Sequence, residues 1–108
     1  MKINNLEAMY KGWFVGDFIP SIYSTSDIEI AVKYYDCGDY EESHTHKIAT
    51  ELTVIIEGEA KMNDAIFRKG DIITLLPGDE TDFYALSKVT TVVVKYPSVK
   101  NDKYISEK

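Results

Sequence analysis

Apolar and polar residues alternate along most of the chain from Asp27 onward, in short stretches rich in Val, Ile, Thr, Tyr and Phe. Gly, Pro, Asn and Asp residues interrupt these stretches, which is typical of strands separated by turns. The pattern predicts eight strands, at Ile28–Tyr35, Tyr40–His46, Glu51–Glu57, Ala60–Met62, Ala65–Arg68, Asp71–Leu76, Thr81–Ala85 and Thr90–Tyr96. Asn63-Asp64 is expected to form a hairpin turn. Strands in this number, without helical patterns between them, favour an all-β sandwich or antiparallel β-barrel over a βαβ fold.

The segments on either side of these strands are less regular. A short helix is predicted at Asn5–Lys11, where Leu6 and Met9 share one side and Gly12 ends the pattern. A chain of 108 residues fits a single domain. We expect a barrel core at about 28–96, an N-terminal segment 1–26 packed on the sheet, and a polar tail 97–108 that frays or lies along the surface.

The two faces of the strand Glu51–Glu57 differ in polarity. Leu52, Val54 and Ile56 lie on one face, and Glu51 begins the other. If the Glu51 face points into a barrel, the Leu52 face needs a cover, which either Trp13–Ile19 or a second subunit supplies. We therefore expect a homodimer.

Charge and cysteine content exclude some partners. Twelve Lys and Arg residues against 18 Asp and Glu residues give a net charge of −6. This balance argues against a nucleic acid and against an anionic membrane surface as partner. A small molecule is the expected partner. The single cysteine, Cys37, and the absence of a signal-like N-terminus predict a cytoplasmic protein.

The only two histidines of the chain, His44 and His46, stand two residues apart on a predicted strand. Residues with this spacing point to the same face, about 6.6 Å apart. Glu51 follows after four residues, and a chain reversal there would bring it to the same volume. Two imidazoles and a carboxylate form a metal-binding set with open coordination positions. Two exposed histidines on an edge strand would give the same pattern. Ile48-Ala49-Thr50 is poor turn chemistry, so the reversal would depend on tertiary contacts.

The spacing around these residues resembles the first motif of the cupin superfamily: Gly38, five residues, His44-Thr45-His46, four residues, Glu51, six residues and Gly58. The second cupin motif is partly present at 70–83. The resemblance implies a double-stranded β-helix, the RmlC-like jelly roll. It also implies a divalent metal ion held in the barrel by His44, His46 and Glu51. Fe, Mn, Ni, Co or Zn all suit such a ligand set.

The second motif departs from the family pattern at the position of a third histidine. Thr81 stands there with Phe83 in the usual aromatic place, whereas a shift of one residue would place Asp82 there. Thr81 is the expected inward residue, because Phe83 then packs inside. Tyr84 and Tyr40 are further candidates for the barrel interior or for substrate contact.

Several charged residues near the predicted strands have two interpretations. Lys33 and Lys95 stand in matching contexts, Val-Lys-Tyr, and are read as solvated residues. Alternatively, they pair with Glu29 or Glu57, or reach an anionic substrate. Glu41-Glu42 is read as part of a solvated loop.

The sequence leaves enzyme and binding protein open. One hypothesis is a metal-dependent enzyme acting on a small polar molecule. A second is a non-catalytic cupin, with or without metal, that binds a carbohydrate or another small molecule. The resemblance also offers a third, a metal-free sugar-nucleotide epimerase or isomerase, in which a histidine and Glu51 remove a proton and Tyr84 returns it.

Overall fold

The structure is a computed structural model and describes residues 1–106. These residues form a 3-10 helix at Leu6–Ala8 and strands β1 (Trp13–Gly16), β2 (Tyr23–Ser24), β3 (Glu29–Tyr35), β4 (Tyr40–His46), β5 (Thr50–Glu57), β6 (Glu59–Met62), β7 (Ala65–Arg68), β8 (Ile72–Leu75), β9 (Glu80–Ala85), β10 (Val89–Tyr96) and β11 (Lys103–Ile105). None of the helical structure described has the length and apolar character that crossing a membrane requires.

The strands form two sheets that face each other. One sheet has six strands in the order β2-β1-β3-β10-β5-β8, and the other has five in the order β11-β4-β9-β6-β7. All neighbouring strands are antiparallel except β1 and β2, which run parallel. The predicted all-β, largely antiparallel architecture is confirmed.

The space between the sheets has an apolar end and a polar end. At the apolar end, buried residues of both sheets pack into one cluster: Ile55, Ala60, Met62, Phe83, Ala85 and Val89. Towards the other end of the same strands the inward residues become polar, with His44, His46, Thr53, Thr81 and Thr91 all buried. Because side chains alternate along a strand, residues two apart on β5 and β9 contribute to both ends. The candidate chemistry therefore lies at the polar end of the space between the sheets.

The predicted strands are found with small shifts in their ends, and the Asn63-Asp64 turn is confirmed, since both residues adopt positive φ values of 47° and 67°. The helix is shorter than predicted, because Met9 already adopts an extended conformation, with φ −95° and ψ 152°, and ends the helix after Ala8. β1, β2 and β11 were not predicted. Of the two alternatives predicted for the tail, Lys103–Ile105 follows the second, since it lies exposed along the surface and pairs with β4. The last two residues of the tail lie outside the described residues.

The outer face of the six-stranded sheet is not covered by the N-terminal segment. β1 pairs edge to edge with β3 and extends the sheet instead of crossing its outer face. Ile56, Ile72 and Leu76 on this face are 40%, 65% and 58% exposed. The idea that Trp13–Ile19 covers this face is therefore wrong, and the homodimer stays a prediction.

Candidate metal and ligand site

His44 and His46 point from β4 into the polar end of the interior, as their spacing predicts. They are 6% and 7% exposed, and their ring centroids lie 5.4 Å apart at an interplanar angle of 83°. The Nδ1 atom of His44 lies 2.9 Å from the carbonyl oxygen of Glu42. A carbonyl oxygen only accepts, so Nδ1 carries the proton and Nε2 keeps its lone pair. This is the arrangement that orients a metal-binding imidazole in other proteins.

Glu51 lies near the start of β5 and faces the same interior. It shares the wall of a cavity of about 30 Å³ with His44, Thr53, Thr81 and Thr91, among others. The Thr53 hydroxyl donates a hydrogen bond of 3.4 Å to Glu51 Oε2. Burial raises the pKa of Glu51, and the positive charges of Lys95 and Lys33 oppose this effect only in part. A cation at this carboxylate would offset the cost of burying its charge.

His44, His46 and Glu51 have the right chemistry for a metal ion, but their side chains are not arranged to hold one. In residues 1–106, no three His, Cys, Asp or Glu side chains lie close enough together to hold a metal ion. The residues lining the small cavity include His44 and Glu51 but not His46. Two imidazoles and a carboxylate do match the ligands that divalent transition ions prefer. Metal binding by this set therefore requires these side chains to move closer together.

The position of the third cupin histidine is filled by Thr81. Thr81 is 4% exposed, pairs with His44 across β4 and β9, and lines the small cavity. Phe83 also points inward and packs against Tyr35, with ring centroids 4.4 Å apart. Asp82 also lines the small cavity, but its carboxylate accepts a hydrogen bond of 2.8 Å from the backbone N–H of Asn63. The expected inward orientation of Thr81 and Phe83 agrees with the structure.

The two tyrosines proposed for the interior lie elsewhere. Tyr84 alternates with the inward residues Thr81, Phe83 and Ala85, so its side chain lies on the outer face and is 42% exposed. Tyr40 pairs with Tyr84 and is 59% exposed, with the two rings 6.4 Å apart. Tyr84 therefore does not lie in the barrel interior, whereas Tyr40 lines an outer cleft; contact of either residue with a substrate stays a prediction.

Three residues that the sequence did not assign to the site lie at its entrance. Lys33, Tyr35 and Glu41 line both the small cavity and an outer cleft of about 680 Å³. The Tyr35 hydroxyl donates a hydrogen bond of 2.6 Å to Glu41 Oε1. Burial raises the pKa of Tyr35, and the Glu41 charge raises it further. Burial alone would raise the pKa of Glu41, but Lys33 and the Tyr35 hydrogen bond lower it. Tyr35 is therefore neutral, and Glu41 ionised, at neutral pH.

Lys33 and Lys95 are interior residues, and the interpretation of both as solvated is wrong. Lys33 is half-buried on the inner face of β3, and burial lowers its pKa even though Glu41 and Glu51 raise it. The Lys95 side chain is 17% exposed and pairs with Glu29 at 3.5 Å. The suggested Glu29 pairing is thus confirmed for Lys95. Glu57 pairs instead with Lys69, at 3.3 Å.

The connection from His46 to β5 is held by a residue from the far end of the chain. The carboxylate of Asp102 accepts hydrogen bonds from the backbone N–H groups of Lys47, Ile48 and Ala49, at 2.9 to 3.2 Å. Asp102 is 6% exposed. These bonds supply the tertiary support that the poor turn chemistry of this segment requires. Asp102 therefore fixes the path by which the chain passes from the histidines to Glu51.

We expect the metal-free protein to lose stability as the pH falls from about 6.5 to about 4. Burial lowers the pKa of His46 from 6.5 to about 4, with Lys95 and His44 adding to the effect. Between these values the unfolded chain binds the proton more readily than the folded one, so the free energy of unfolding decreases as the pH falls. Between pH 7.0 and pH 5.0 the loss is about 1–2 kcal/mol, since one pH unit within this range corresponds to about 1.4 kcal/mol.

The measurement is urea unfolding in EDTA at pH 7.0 and 5.0, for the wild type and for His46→Asn. The variant lacks the titrating ring, so its pH dependence should be shallower in this interval. Other groups, including Glu51, titrate in both proteins and cancel in the comparison. Equal pH dependence in the two proteins would contradict the assignment to His46.

Comparison with known proteins was made by sequence and by structure. No family model and no curated protein matches the sequence. The fold resembles an uncharacterised double-stranded β-helix protein from Klebsiella pneumoniae, with 24% identity and a TM-score of 0.70 over 78% of this chain and 74% of that one. An RmlC-like cupin from Shewanella frigidimarina has 16% identity and a TM-score of 0.65 over 72% of each chain.

A third similar structure is the DMSP lyase DddQ from Ruegeria pomeroyi, with 17% identity and a TM-score of 0.72. The match covers 87% of this chain and 49% of the lyase, so the chain spans about half of that enzyme. The protein thus has the cupin fold, a double-stranded β-helix. This confirms the resemblance drawn from the spacing of Gly38, His44, His46, Glu51 and Gly58.

Proposed function

We propose that the protein is a small cupin that binds one divalent transition metal ion through His44, His46 and Glu51. A small polar organic molecule would bind beside this ion, reached from the outer cleft. The observation that carries the proposal is the burial of both imidazoles on one face of β4, with Glu51 on the wall of the cavity that His44 lines. Fe, Mn, Ni, Co or Zn would suit these ligands. A homodimer and a cytoplasmic location are the expected setting.

The residues around the site have distinct tasks under this proposal. A bound ion with open coordination positions would polarise a substrate oxygen. His44 is already oriented by its hydrogen bond to the Glu42 carbonyl group. Lys33 and the Tyr35–Glu41 pair stand between the outer cleft and the small cavity, so a molecule that enters has to pass them.

The fold neighbours support a small-molecule ligand without selecting a reaction. Besides the DMSP lyase, they include a sugar phosphate isomerase from Silicibacter pomeroyi and an oxalate decarboxylase from Bacillus subtilis. These proteins act on small molecules by different chemistries. Identities are 18% or lower for all three, so what they share with this chain is the fold, which hosts several chemistries.

A second candidate function is metal-free binding of a carbohydrate or another small molecule. Two observations favour it: Thr81 occupies the third-histidine position, and the charges of Lys33 and Lys95 already act on Glu51. The epimerase-like mechanism has less support. Its proposed acid, Tyr84, lies on the outer face, and the inward Tyr35 is bonded to Glu41.

Metal analysis after purification and reconstitution tests the two candidates. For the metal site we expect about one ion per chain and a stabilisation of about 2.7 kcal/mol when free metal exceeds the dissociation constant a hundredfold. His46→Ala should lose both. The protein is reconstituted separately with Fe(II), Mn(II), Co(II), Ni(II) and Zn(II). Clearly substoichiometric metal in all five samples would reject the metal site and favour the metal-free candidate.

A further inference from the structure

The ammonium group of Lys33 lies inside the protein without an acidic partner. Lys33 is half-buried and lines both the small cavity and the outer cleft. Within residues 1–106, no carboxylate oxygen lies within 4.0 Å of its Nζ atom. Glu41, on the same walls, accepts the hydrogen bond of the Tyr35 hydroxyl instead. A partly buried charge is costly unless it is paired, so this position is suited to an anion supplied from outside.

The side chain of Trp13 holds Lys33 in place without neutralising it. Lys33 Nζ lies 5.3 Å from the centroid of the Trp13 ring, and Lys95 Nζ lies 5.1 Å from the same centroid. A cation over an aromatic ring is attracted to it, but the ring carries no net charge. Lys95 is paired with Glu29 at 3.5 Å. Of the two ammonium groups at this ring, Lys33 is the one left for a ligand.

Two carboxylates that line the small cavity with Lys33 already accept hydroxyl hydrogen bonds. Glu41 accepts the Tyr35 hydroxyl, and Glu51 accepts the Thr53 hydroxyl. A divalent cation bound at Glu51 would offset negative charge in this cavity, which would favour an anionic group at Lys33.

The space at Lys33 also suits a small anionic group. The inner cavity of about 30 Å³ has room for little more than one water molecule, whereas the cleft of about 680 Å³ has room for the rest of a small organic acid. Thr91, which pairs with Lys33 across β3 and β10, also lines this inner cavity. Its hydroxyl has no hydrogen-bond partner among the described residues.

We propose that Lys33 is a binding site for the carboxylate group of a small organic acid, which enters from the outer cleft. The inference rests on the proposed function in that the carboxylate belongs to the small polar molecule proposed to bind in this cavity, and a bound metal ion would strengthen its binding. It names the substrate class, small organic acids, and makes Lys33 the residue that selects it.

Trp13 makes this testable, because it is the only tryptophan of the chain and lies against the Lys33 ammonium group. Lactate is titrated into Zn-loaded and EDTA-treated protein at constant ionic strength, followed by tryptophan fluorescence and by calorimetry. Lactamide, which has the same shape without the charge, is the matched ligand control. Lactate is expected to bind at least about tenfold more tightly than lactamide to the Zn-loaded protein.

The matched variants are Lys33→Met and Lys88→Met, which remove the same charge. Lys88 is exposed, in the connection between β9 and β10. Lys33→Met should weaken lactate binding about tenfold, and Lys88→Met should leave it unchanged. Lys33→Arg keeps the charge and should keep the preference for lactate, which also guards against a folding defect in Lys33→Met. Equal binding of lactate and lactamide, no binding of lactate, or equal binding by the two methionine variants would overturn the proposal.

Metal content measured on the same samples separates this inference from the proposed metal site. Protein that holds no metal but binds lactate in a Lys33-dependent manner keeps the carboxylate site and loses the metal site. Protein that holds metal but does not distinguish lactate from lactamide keeps the metal site and loses the carboxylate site.

Discussion

Replacing Glu51 by glutamine is expected to lower the affinity for a divalent transition metal ion by at least about a hundredfold, since losing even an outer-shell partner of a ligand costs about 10–100-fold. Glutamine keeps the shape of the side chain and an oxygen that can accept the Thr53 hydroxyl hydrogen bond. It removes the negative charge, which is the part of Glu51 that attracts the ion.

The same substitution should leave the metal-free protein about as stable as the wild type, to within about 1 kcal/mol. Burial raises the pKa of Glu51, so the ionised carboxylate is disfavoured in the folded state relative to the unfolded one. A neutral side chain of the same size avoids that cost, although it also removes a charge that faces Lys33 and Lys95. A large loss of metal affinity together with a small loss of stability in Glu51→Gln would therefore identify Glu51 as a metal ligand.

Metal affinity is measured by competition with a chromophoric chelator. The stability of the metal-free protein is measured by urea unfolding in EDTA. Glu42→Gln is the matched control, because Glu42 is exposed on β4 and loses the same charge. Its affinity should match the wild type. Unchanged metal binding in Glu51→Gln would show that the ion is held elsewhere.

Much of the fold was predictable because it depends on local rules. Alternation with a period of two located the eight central strands, and the Asn63-Asp64 dipeptide located one hairpin. Gly58, the last residue of the first motif, has φ +86°, and a Cβ atom there would lie 2.0 Å from the carbonyl oxygen of Lys88. The glycine at this motif position is thus required by the close approach of the backbone at Gly58 and at Lys88. β1, β2 and β11 were missed because they have only two to four residues, too few to show a clear alternation; β2 and β11 are also edge strands.

The positions of the site residues could be predicted only where the alternation of side chains along a strand determines which face they lie on. His44 and His46 share a face by their spacing, whereas Glu41, by strict alternation, would face the opposite side. The pairing of β4 with β9 shifts register between Glu41 and His44, and this irregularity lets Glu41 turn inward. Lys33 alternates with Ala31 and Tyr35, which does place it on the inner face, but a lysine on a strand is more often solvated. What holds it inside is Trp13, on a strand that was not predicted.

The loop after the histidines illustrates a contact that no local pattern reveals. Asp102 lies 53 to 55 residues along the chain from the three N–H groups that donate hydrogen bonds to it. In the sequence, nothing distinguishes it from the other polar residues of the C-terminal tail. The same loop is also held at its start, where the Gly78 N–H donates a hydrogen bond of 2.8 Å to the His46 carbonyl oxygen. The site thus depends on both the second motif and the C-terminal segment.

Asp102→Ala is expected to destabilise the protein by about 3 kcal/mol, because hydrogen bonds to a charged acceptor contribute about 1.5–3 kcal/mol each and the freed N–H groups partly recover water. Burial alone would raise the pKa of Asp102, but the N–H groups of Ala49, Lys47 and Ile48 lower it. The carboxylate therefore stabilises the folded state above the unfolded pKa of about 3.9, and this contribution is lost as the pH falls through the lower folded value. At pH 7 the full effect is expected.

The control is Asp71→Ala, since Asp71 is exposed and its carboxylate accepts one backbone hydrogen bond, of 2.7 Å from Arg68. It should cost no more than about 1 kcal/mol. Hydrogen exchange then locates the effect: the amides of Lys47, Ile48 and Ala49 should lose protection in Asp102→Ala, and those of β6 should lose it only to the extent of global destabilisation. Because the loop sets the path from His46 to Glu51, metal affinity should fall as well. If Asp102→Ala proves as stable as Asp71→Ala, the loop is held by the packing of β5 and β4, and the C-terminal segment is dispensable for the site.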